Sequence, residues 1–251
     1  MRFDRPLIAA ALALLPFAAQ AATLNVAVAA NVQYAFDDLA AEFKKESGID
    51  IKASYGASGK FASQIMNGAP FDVFLSADMD FPAKLADGGF TVGQVKPYAY
   101  GTLVLWTMKD LDLKNWANTL TSDKVAKIAV ANPKAAPYGR EAIKALAYYK
   151  IDKTVEPKLV YGENISQANQ YISTQAADIG FTAKSVVISP ELKGQGRWVE
   201  VPKKVYEPIA QGVVVLKQAE QNDPAAAKKF YDFLSSKKAR AVFQRFGYQL
   251  P

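Results

Sequence analysis

Residues 49–61, IDIKASYGASGKF, place a short strand pattern directly before a turn made of Gly, Ala and Ser. A helical pattern follows from Phe61 to about Gly68, and Ser58 stands where a helix cap is expected. The start of a helix presents unpaired N–H groups and the positive end of the helix dipole, and small residues let an anion approach that backbone closely. The stretch therefore predicts either an anion site or a solvent-capped helix behind a flexible turn.

Strand and helix patterns alternate on both sides of this stretch. Residues 23–30 alternate like a strand, Asn31 stands as a cap before an apolar stripe at helical spacing, and residues 71–75 read as a buried strand. This βαβαβ order predicts a mainly parallel sheet with right-handed crossovers. Parallel sheets bind ligands beyond the carboxyl ends of their strands, so we expect Asn31 and Ser58 to face one crevice.

A second set of strands and helices follows the first. The run 98–106 is long enough to leave one domain and enter another, and residues 209–216 read as a returning strand. Two strand-like crossings of this kind are typical of the hinge of a closing cleft. We therefore predict an α/β fold of two lobes, each a mainly parallel sheet flanked by helices, with a ligand cleft between them. Lobe I comprises residues 22–102 and 208–251, and lobe II comprises residues 103–207.

The N-terminus has the three parts of a secretory signal. Residues 1–5 carry two arginines, residues 7–17 form an apolar run, and Ala19-Gln20-Ala21 has the small-x-small form of a cleavage site. The apolar run is shorter than the roughly 20 residues that a transmembrane helix needs, which disfavours a membrane anchor. We therefore expect residues 1–21 to be a signal peptide and the mature chain, from about Ala22, to be exported.

Composition excludes or disfavours several classes of function. The chain of 251 residues has no Cys and no His, so thiol chemistry is excluded, and serine-triad hydrolysis and zinc sites are disfavoured. The 12 Tyr residues suggest iron–phenolate binding, but the usual mixed ligand set is incomplete without His. The formal net charge is +6, yet Lys and Arg are spread along the chain and no nucleic-acid-binding motif is present. We expect no nucleic-acid partner.

Charged residues near the turn have simpler interpretations than an active site. The Gly-Lys pair that ends at Lys60 is like part of a phosphate-binding loop, but Ser54 and Phe61 stand where that motif requires Gly and Ser or Thr. We interpret Lys60 as a solvated surface charge. Glu163 and Asp78 follow strands, but carboxylates there would repel an anion, so we expect them to cap helices or act at the hinge.

Five motifs stand out along the chain: Ala29-Ala30-Asn31, Gly56-Ala57-Ser58-Gly59, GAPFDVFLSA at residues 68–77, Asn132-Pro133 with Pro137-Tyr138-Gly139, and AVFQRFGY at residues 241–248. In this order they resemble the periplasmic molybdate-binding proteins of bacterial ABC importers, over essentially the whole mature chain. The resemblance implies a two-lobed, type II periplasmic-binding-protein fold, a periplasmic location and a monomeric binding protein, not an enzyme. It also implies that molybdate, or tungstate of nearly the same size, is bound without a cofactor or metal-ligating side chain and passed to the membrane permease of an ABC importer.

The same resemblance implies which residues bind the oxyanion. Ser58 matches a serine that donates through its hydroxyl and its backbone N–H. Asn31 stands where many members have Ser, and an amide NH₂ can also donate a hydrogen bond. Tyr138 and Ile165 fall on the backbone donors of lobe II, where side-chain identity matters little.

Two alanines are further candidate ligand-binding positions, Ala30 and Ala183. Ala183 falls where some members have a Tyr that binds the ligand, so this chain lacks that hydroxyl donor. Either Asn31 or Tyr138 compensates for the loss, or the affinity is lower.

A buried dianion must be surrounded by N–H and O–H donors. Phosphate keeps a proton near neutral pH, and that proton would find no acceptor, which costs about 1–3 kcal/mol. Sulfate passes this filter, so a preference for molybdate must come from the size of the cavity. The alternative functions are a receptor for another tetrahedral oxyanion such as sulfate, and a small periplasmic hydrolase, which the absence of His disfavours.

Overall fold

A computed structural model describes residues 23–251, so the predicted signal peptide lies outside the described residues. This part of the chain forms two five-stranded sheets. The strands are β1 (Thr23–Ala29), β2 (Asp50–Gly56), β3 (Val73–Leu75), β4 (Thr91–Gly101), β5 (Leu103–Thr107), β6 (Ile128–Ala131), β7 (Leu159–Gly162), β8 (Ile179–Ala183), β9 (Arg197–Glu200) and β10 (Ile209–Leu216).

Helices connect most of these strands. The α-helices are α1 (Gln33–Ser47), α2 (Ser58–Met66), α3 (Asp80–Asp87), α4 (Trp116–Thr121), α5 (Pro137–Tyr148), α6 (Asp152–Val155), α7 (Ile165–Ser173), α8 (Lys184–Val187), α9 (Pro224–Phe233) and α10 (Lys237–Arg245). Single turns of 3₁₀ helix span Ala30–Val32, Glu156–Lys158, Lys203–Val205 and Lys217–Glu220. No helix within residues 23–251 is long and apolar enough to cross a membrane.

Each sheet has one strand that runs against its neighbours. The sheet of lobe I has the order β2-β1-β3-β10-β4, with β10 antiparallel to β3 and β4 and the other pairs parallel. The sheet of lobe II has the order β7-β6-β8-β5-β9, in which β5 is antiparallel to β8 and β9. The reversed strands are the two that follow a crossing between lobes. The predicted fold of two mainly parallel α/β lobes is therefore confirmed.

The chain passes between the sheets at two places. β4 ends at Gly101 and β5 begins at Leu103, so the first crossing is a single residue long, and the second lies between Glu200 and Ile209. The predicted lobe boundaries, at residues 102 and 208, stay predictions.

Aromatic side chains form much of the core of lobe I. Phe36 and Phe43 of α1 lie edge-on to Phe230 of α9, with ring centroids 6.0 and 5.0 Å apart. On the opposite face of the sheet, Phe61 of α2 contacts Phe74 of β3, with centroids 6.4 Å apart. Burial of large apolar side chains is a dominant source of stability. It holds the helices that follow β1 and β2 in place, and with them the loops at the cleft.

Two predicted helix caps are wrong. Ala57 is the N-cap of α2, and Ser58 is the first helical residue, whose Oγ accepts a hydrogen bond from the N–H of Ala77 at 2.9 Å. Asn31 lies inside a 3₁₀ turn, and its side chain makes no cap hydrogen bond to α1. Both side chains are buried, so they bond to groups from distant segments instead of the exposed helix starts that their local sequence suggested.

Candidate functional site

A small cavity lies between the lobes, at the carboxyl ends of β1, β2 and β7 and beside the start of α5. Its lining residues are Ala29, Ala30, Asn31, Gly56, Ala57, Ser58, Ala77, Ala136, Pro137, Tyr138, Asn164 and Ile165. Five of the six predicted site residues are therefore brought together, although they are spread over more than half of the chain. Ala183 is not among the lining residues.

Three α-helices begin at this cavity. Ser58 is the first residue of α2, Ile165 the first of α7, and Tyr138 the second of α5. The N–H groups of the first helical turn have no acceptor within the helix, and the helix dipoles place partial positive charge there. Helix starts from both lobes therefore offer backbone donors to one space, as an anion site requires.

The start of helix α5 lies close to strand β6. Pro137 is its first residue, a position where the fixed φ of proline is already helical. Gly139 lies so close to β6 that a Cβ atom there would stand 1.9 Å from the carbonyl oxygen of Ala131. The glycine lets α5 approach the strand closely, which places Tyr138 at the wall of the cavity.

The hydroxyl of Ser58 has a proton to offer a ligand. Ser58 is 1% exposed, and its Oγ accepts the hydrogen bond from Ala77 N–H. A serine hydroxyl carries one donor and two acceptor lone pairs. The bond from Ala77 occupies only a lone pair of the oxygen. The O–H group can therefore donate a hydrogen bond to an acceptor that enters the cavity.

The amide of Asn31 is held by protein groups. Its Nδ2 donates to Oε1 of Gln211 at 2.8 Å and to the hydroxyl of Tyr248 at 3.2 Å. An amide nitrogen has two N–H bonds, and both are engaged by these acceptors. In this closed arrangement Asn31 can serve an anion through its backbone N–H, in the first turn of the 3₁₀ helix Ala30–Val32.

Ala183 lies deeper in lobe II. It is the last residue of β8, pairs with Leu103 and is fully buried. Two residues further on, the hydroxyl of Ser185 donates to the carbonyl oxygen of Asn31 at 2.9 Å. This end of β8 therefore contacts the site through Ser185, and its link to the ligand stays a prediction.

The cavity is small and its lining carries no charged side chain. The space open to the centre of a water molecule is about 10 Å³, which is room for about one water molecule. A larger groove of about 660 Å³ lies on lobe II between residues 110–114 and 196–199. It is an open surface beside the edge strand β9, away from the helix starts that converge between the lobes. The small cavity is the candidate site.

Several hydrogen bonds and ion pairs close the cleft over this cavity. The N–H of Gly59 donates to the carbonyl oxygen of Ala135 at 2.9 Å, and Ser166 Oγ donates to Gln33 Oε1 at 3.1 Å. Lys60 is exposed, as expected of a solvated surface charge, and its ammonium group also pairs with the carboxylate of Glu163 across the cleft. The sequence of either lobe alone could not reveal a pair that forms only when the lobes meet.

A second ion pair joins the lobes on the hinge side of the cavity. The guanidinium of Arg140 lies 3.0 Å from a carboxylate oxygen of Asp78. The other oxygen of Asp78 accepts from Phe81 N–H at the start of α3. Burial raises the pKa of the Asp78 carboxyl, and the hydrogen bonds and Arg140 act in the opposite direction. Asp78 thus bonds to the first turn of α3, whose N-cap is Met79, and pairs with a residue of the other lobe; its role at the hinge stays a prediction.

The Lys60–Glu163 pair should contribute little to oxyanion affinity. Both side chains are about half exposed, and exposed ion pairs contribute about 0–1 kcal/mol. We expect Lys60→Ala to lower affinity by no more than about fivefold, and less at high salt. Calorimetric titration at two salt concentrations, with molybdate and with sulfate as the two oxyanions that the sequence leaves open, measures this. The charge-swapped variant Lys60→Glu/Glu163→Lys is the control and should restore the affinity; a loss of a hundredfold would show that the lysine charge itself holds the anion.

Four buried residues beside the site were not predicted from the sequence. Tyr98, Ser185, Gln211 and Tyr248 form hydrogen bonds with Asn31 or with one another. Gln211 did carry a signal, as the polar residue in the otherwise apolar strand β10. Tyr248 lies in the motif at residues 241–248, whose position behind the cavity required the folded structure.

Two α/β lobes closed over a cavity of neutral donors define a two-lobed solute-binding protein. The model of the bacterial extracellular solute-binding protein family matches residues 24–249. The chain belongs to this family.

Similar proteins include molybdate-binding proteins. The molybdate-binding protein ModA of Azotobacter vinelandii is 41% identical over 249 residues, which is 98% of each chain. The ModA of Rhodobacter capsulatus is 40% identical over 92% of this chain and 89% of its own. The solved structure of the Azotobacter vinelandii periplasmic molybdate-binding protein superposes with a TM-score of 0.85 and 35% identity, covering 91% of this chain and 99% of that one.

Proposed function

We propose that this protein is a periplasmic receptor that captures molybdate, and tungstate with it, and delivers the oxyanion to the membrane permease of an ABC importer. The observation that carries the proposal is the cavity between the lobes, where the starts of α2, α5 and α7 converge with the hydroxyl of Ser58. The similarity to two molybdate-binding proteins along almost the whole chain supports the choice of ligand.

Neutral donors suit a tetrahedral dianion. Moving such a charge out of water is very unfavourable unless each oxygen accepts hydrogen bonds. Backbone N–H groups at helix starts supply these bonds together with the partial positive charge of the dipoles. Because these groups are fixed by the fold, little reorganisation is needed when the anion binds.

The same donors select against phosphate. Hydrogen phosphate would place a proton among groups that act as donors, and a buried proton left without an acceptor costs about 1–3 kcal/mol. Sulfate carries no such proton, so the size of the closed cavity has to separate it from molybdate. Tungstate has nearly the size of molybdate and should bind with it.

Binding and closure are one process in this proposal. Ser58 and Asn31 belong to lobe I, and Tyr138 and Ile165 belong to lobe II. The anion therefore receives all of its hydrogen bonds only when the two lobes meet. The ligand then stabilises the closed form to the extent that it binds the closed form more tightly than the open form. A permease that recognises the closed form would receive loaded receptors.

The remaining features of the proposal follow from the sequence. Residues 1–21 direct export and are then removed, and, as the family resemblance implies, the receptor acts as a monomer without cofactor or enzymatic activity. The ligand molybdenum is held as its oxyanion by hydrogen bonds and has no direct protein ligand. Lack of turnover of phosphate and sulfate esters would remove the hydrolase alternative.

A thermal-shift panel with molybdate, tungstate, sulfate and phosphate tests the proposal. A ligand present at 1,000 times its dissociation constant adds about 4 kcal/mol to the free energy of unfolding. We expect a large rise in melting temperature with molybdate and tungstate and a small one with sulfate and phosphate. No shift with molybdate or tungstate rejects the proposal, and a shift with sulfate alone favours the receptor for another oxyanion.

A further inference from the structure

A cluster of buried polar side chains lies behind the cavity wall. It consists of Asn31, Tyr98, Tyr138, Gln211 and Tyr248, and each is at most 4% exposed. Three of them, Tyr98, Gln211 and Tyr248, do not line the cavity. Buried polar groups are stable only when they are hydrogen-bonded, so these side chains constrain one another's orientation.

Gln211 is the centre of this cluster. Its Oε1 accepts hydrogen bonds from Asn31 Nδ2 at 2.8 Å and from the Tyr98 hydroxyl at 2.9 Å. Its Nε2 donates to the hydroxyl of Tyr138, 3.5 Å away. Since the two ends of an amide differ in kind, the acceptor end faces Asn31 of lobe I and the donor end faces Tyr138 of lobe II.

The cluster lies where the chain crosses between the lobes. Gln211 follows the second crossing on β10, and Gly101 ends β4 immediately before the first. A Cβ atom at Gly101 would stand 1.9 Å from the Tyr138 hydroxyl oxygen and 2.9 Å from Gln211 Nε2. The absence of a side chain at this position therefore makes room for the contact between Tyr138 and Gln211.

The groups that bond to Gln211 are hydroxyls and an amide, which carry no charge near pH 7. A carboxylate that acts on the cluster is paired with a cation. Burial raises the pKa of the Tyr98, Tyr138 and Tyr206 hydroxyls, and it raises that of Tyr248 to about 12. The carboxylate of Asp78, which acts on the Tyr98 hydroxyl, is paired with Arg140. The cluster thus acts through directed hydrogen bonds and not through net charge.

We infer that Gln211 is a positioning residue of the oxyanion site: by bonding to Asn31 and to Tyr138, it holds cavity residues of the two lobes in register without touching the ligand. The inference rests on the proposed function, because it assumes that the cavity binds an oxyanion. Two features distinguish it from a purely structural role. The effect of a substitution at Gln211 depends on whether the new side chain keeps the acceptor and donor ends of the amide. It is seen as a change in affinity for the ligand.

Two substitutions at this position separate these features. Gln211→Met keeps the shape but removes all hydrogen bonds, and we expect it to lower molybdate affinity at least about tenfold at every pH. Gln211→Glu keeps the acceptor but introduces a buried carboxyl, whose pKa is raised by burial and by the nearby Asp78, while the hydrogen bonds from Asn31 and Tyr98 act in the opposite direction. Above that pKa the charge repels the oxyanion; below it, the neutral carboxyl resembles the amide. The affinity of this variant should therefore rise as pH falls.

Calorimetric titration with sodium molybdate from about pH 9 to about pH 6 makes the comparison, since raised carboxyl pKa values reach this range. Wild-type protein and Gln221→Glu, a substitution at an exposed position, should bind with similar affinity across the range. The melting temperature of each ligand-free variant shows whether it is folded. If Gln211→Met does not fold, Tyr98→Phe removes one hydroxyl that bonds to Gln211 and should lower affinity several-fold.

The outcomes separate the two proposals. A wild-type protein that fails to bind molybdate rejects the proposed function, and the role of Gln211 with it. A wild type that binds, with folded Gln211 variants that bind equally well, overturns the inference alone. Equal losses in Gln211→Met and Gln211→Glu at every pH also overturn it, because they indicate lost packing and not lost positioning.

Discussion

Replacing Ser58 by alanine should weaken molybdate binding by about 1–3 kcal/mol, which is about 5- to 150-fold. The hydroxyl of Ser58 accepts a hydrogen bond from the N–H of Ala77, and the hydroxyl proton is available to the ligand. The substitution removes a donor from a buried oxyanion oxygen and also leaves the Ala77 N–H without its acceptor. The backbone N–H of residue 58 remains, so binding should be weakened and not abolished.

Calorimetric titration with sodium molybdate measures the loss. Ser63→Ala is a matched control, because Ser63 lies at an exposed position on the same helix and the substitution removes the same hydroxyl group. The control should bind like the wild type. Unchanged affinity in Ser58→Ala would remove this side chain from the site and leave the backbone donors as the whole contribution of α2.

Substitution of Gly59 should prevent the cleft from closing. The N–H of Gly59 bonds to the carbonyl oxygen of Ala135 across the cleft, and a Cβ atom at this position would stand 3.0 Å from Ala135 Cα and 2.7 Å from Cζ of Phe81. The ring of Phe81 can turn aside, but the backbone of Ala135 cannot without moving lobe II. A β-branched side chain in Gly59→Val should therefore hold the lobes apart.

The expected loss of affinity is large. Apparent affinity falls by the fraction of protein that can still adopt the binding form, so a closed fraction of about 1% lowers affinity about 100-fold. The ligand-free melting temperature should stay close to that of the wild type, because each lobe keeps its own core. Small-angle X-ray scattering with molybdate should show a more open particle than wild type.

Ser63→Val provides the control for this variant, since it adds the same branched side chain to an exposed position of α2. It should close and bind normally. A Gly59→Val protein that binds molybdate as tightly as wild type would mean that the lobes need not approach as closely as they do in this structure.

These results would also decide between two interpretations of the turn at residues 56–61. Lys60 is the charged residue of the turn, but its partner is Glu163 and its side chain is half exposed. Ser58 is neutral, buried and on the cavity wall. The proposal therefore assigns the contribution of this turn to its buried donors, and we expect Lys60 to act only through its ion pair across the cleft.

Much of the fold was predictable from local pattern. The alternation of strand and helix periods indicated two α/β lobes, and the apolar run ending at Leu216 indicated the returning strand, which spans Ile209–Leu216. Because parallel strands place the following helix starts at one edge of a sheet, Ser58 and Asn31 could be expected in one crevice. The structure brings both to the cavity, and Tyr138 and Ile165 as well.

The bonding partners of these residues could not be read from local pattern. Asn31 and Gln211 are 180 positions apart, and Lys60 and Glu163 are 103 apart, so nothing near either residue specifies the other. An Asn or Ser before a helix caps it when the helix start is exposed, but burial offered both side chains other partners. Sequence periodicity therefore predicted which segments form the cleft. The approach of the two lobes determines which donors remain for the anion. A shift of a few tenths of an ångström between a donor and an acceptor decides whether a hydrogen bond forms, and local sequence does not set distances between the lobes so closely.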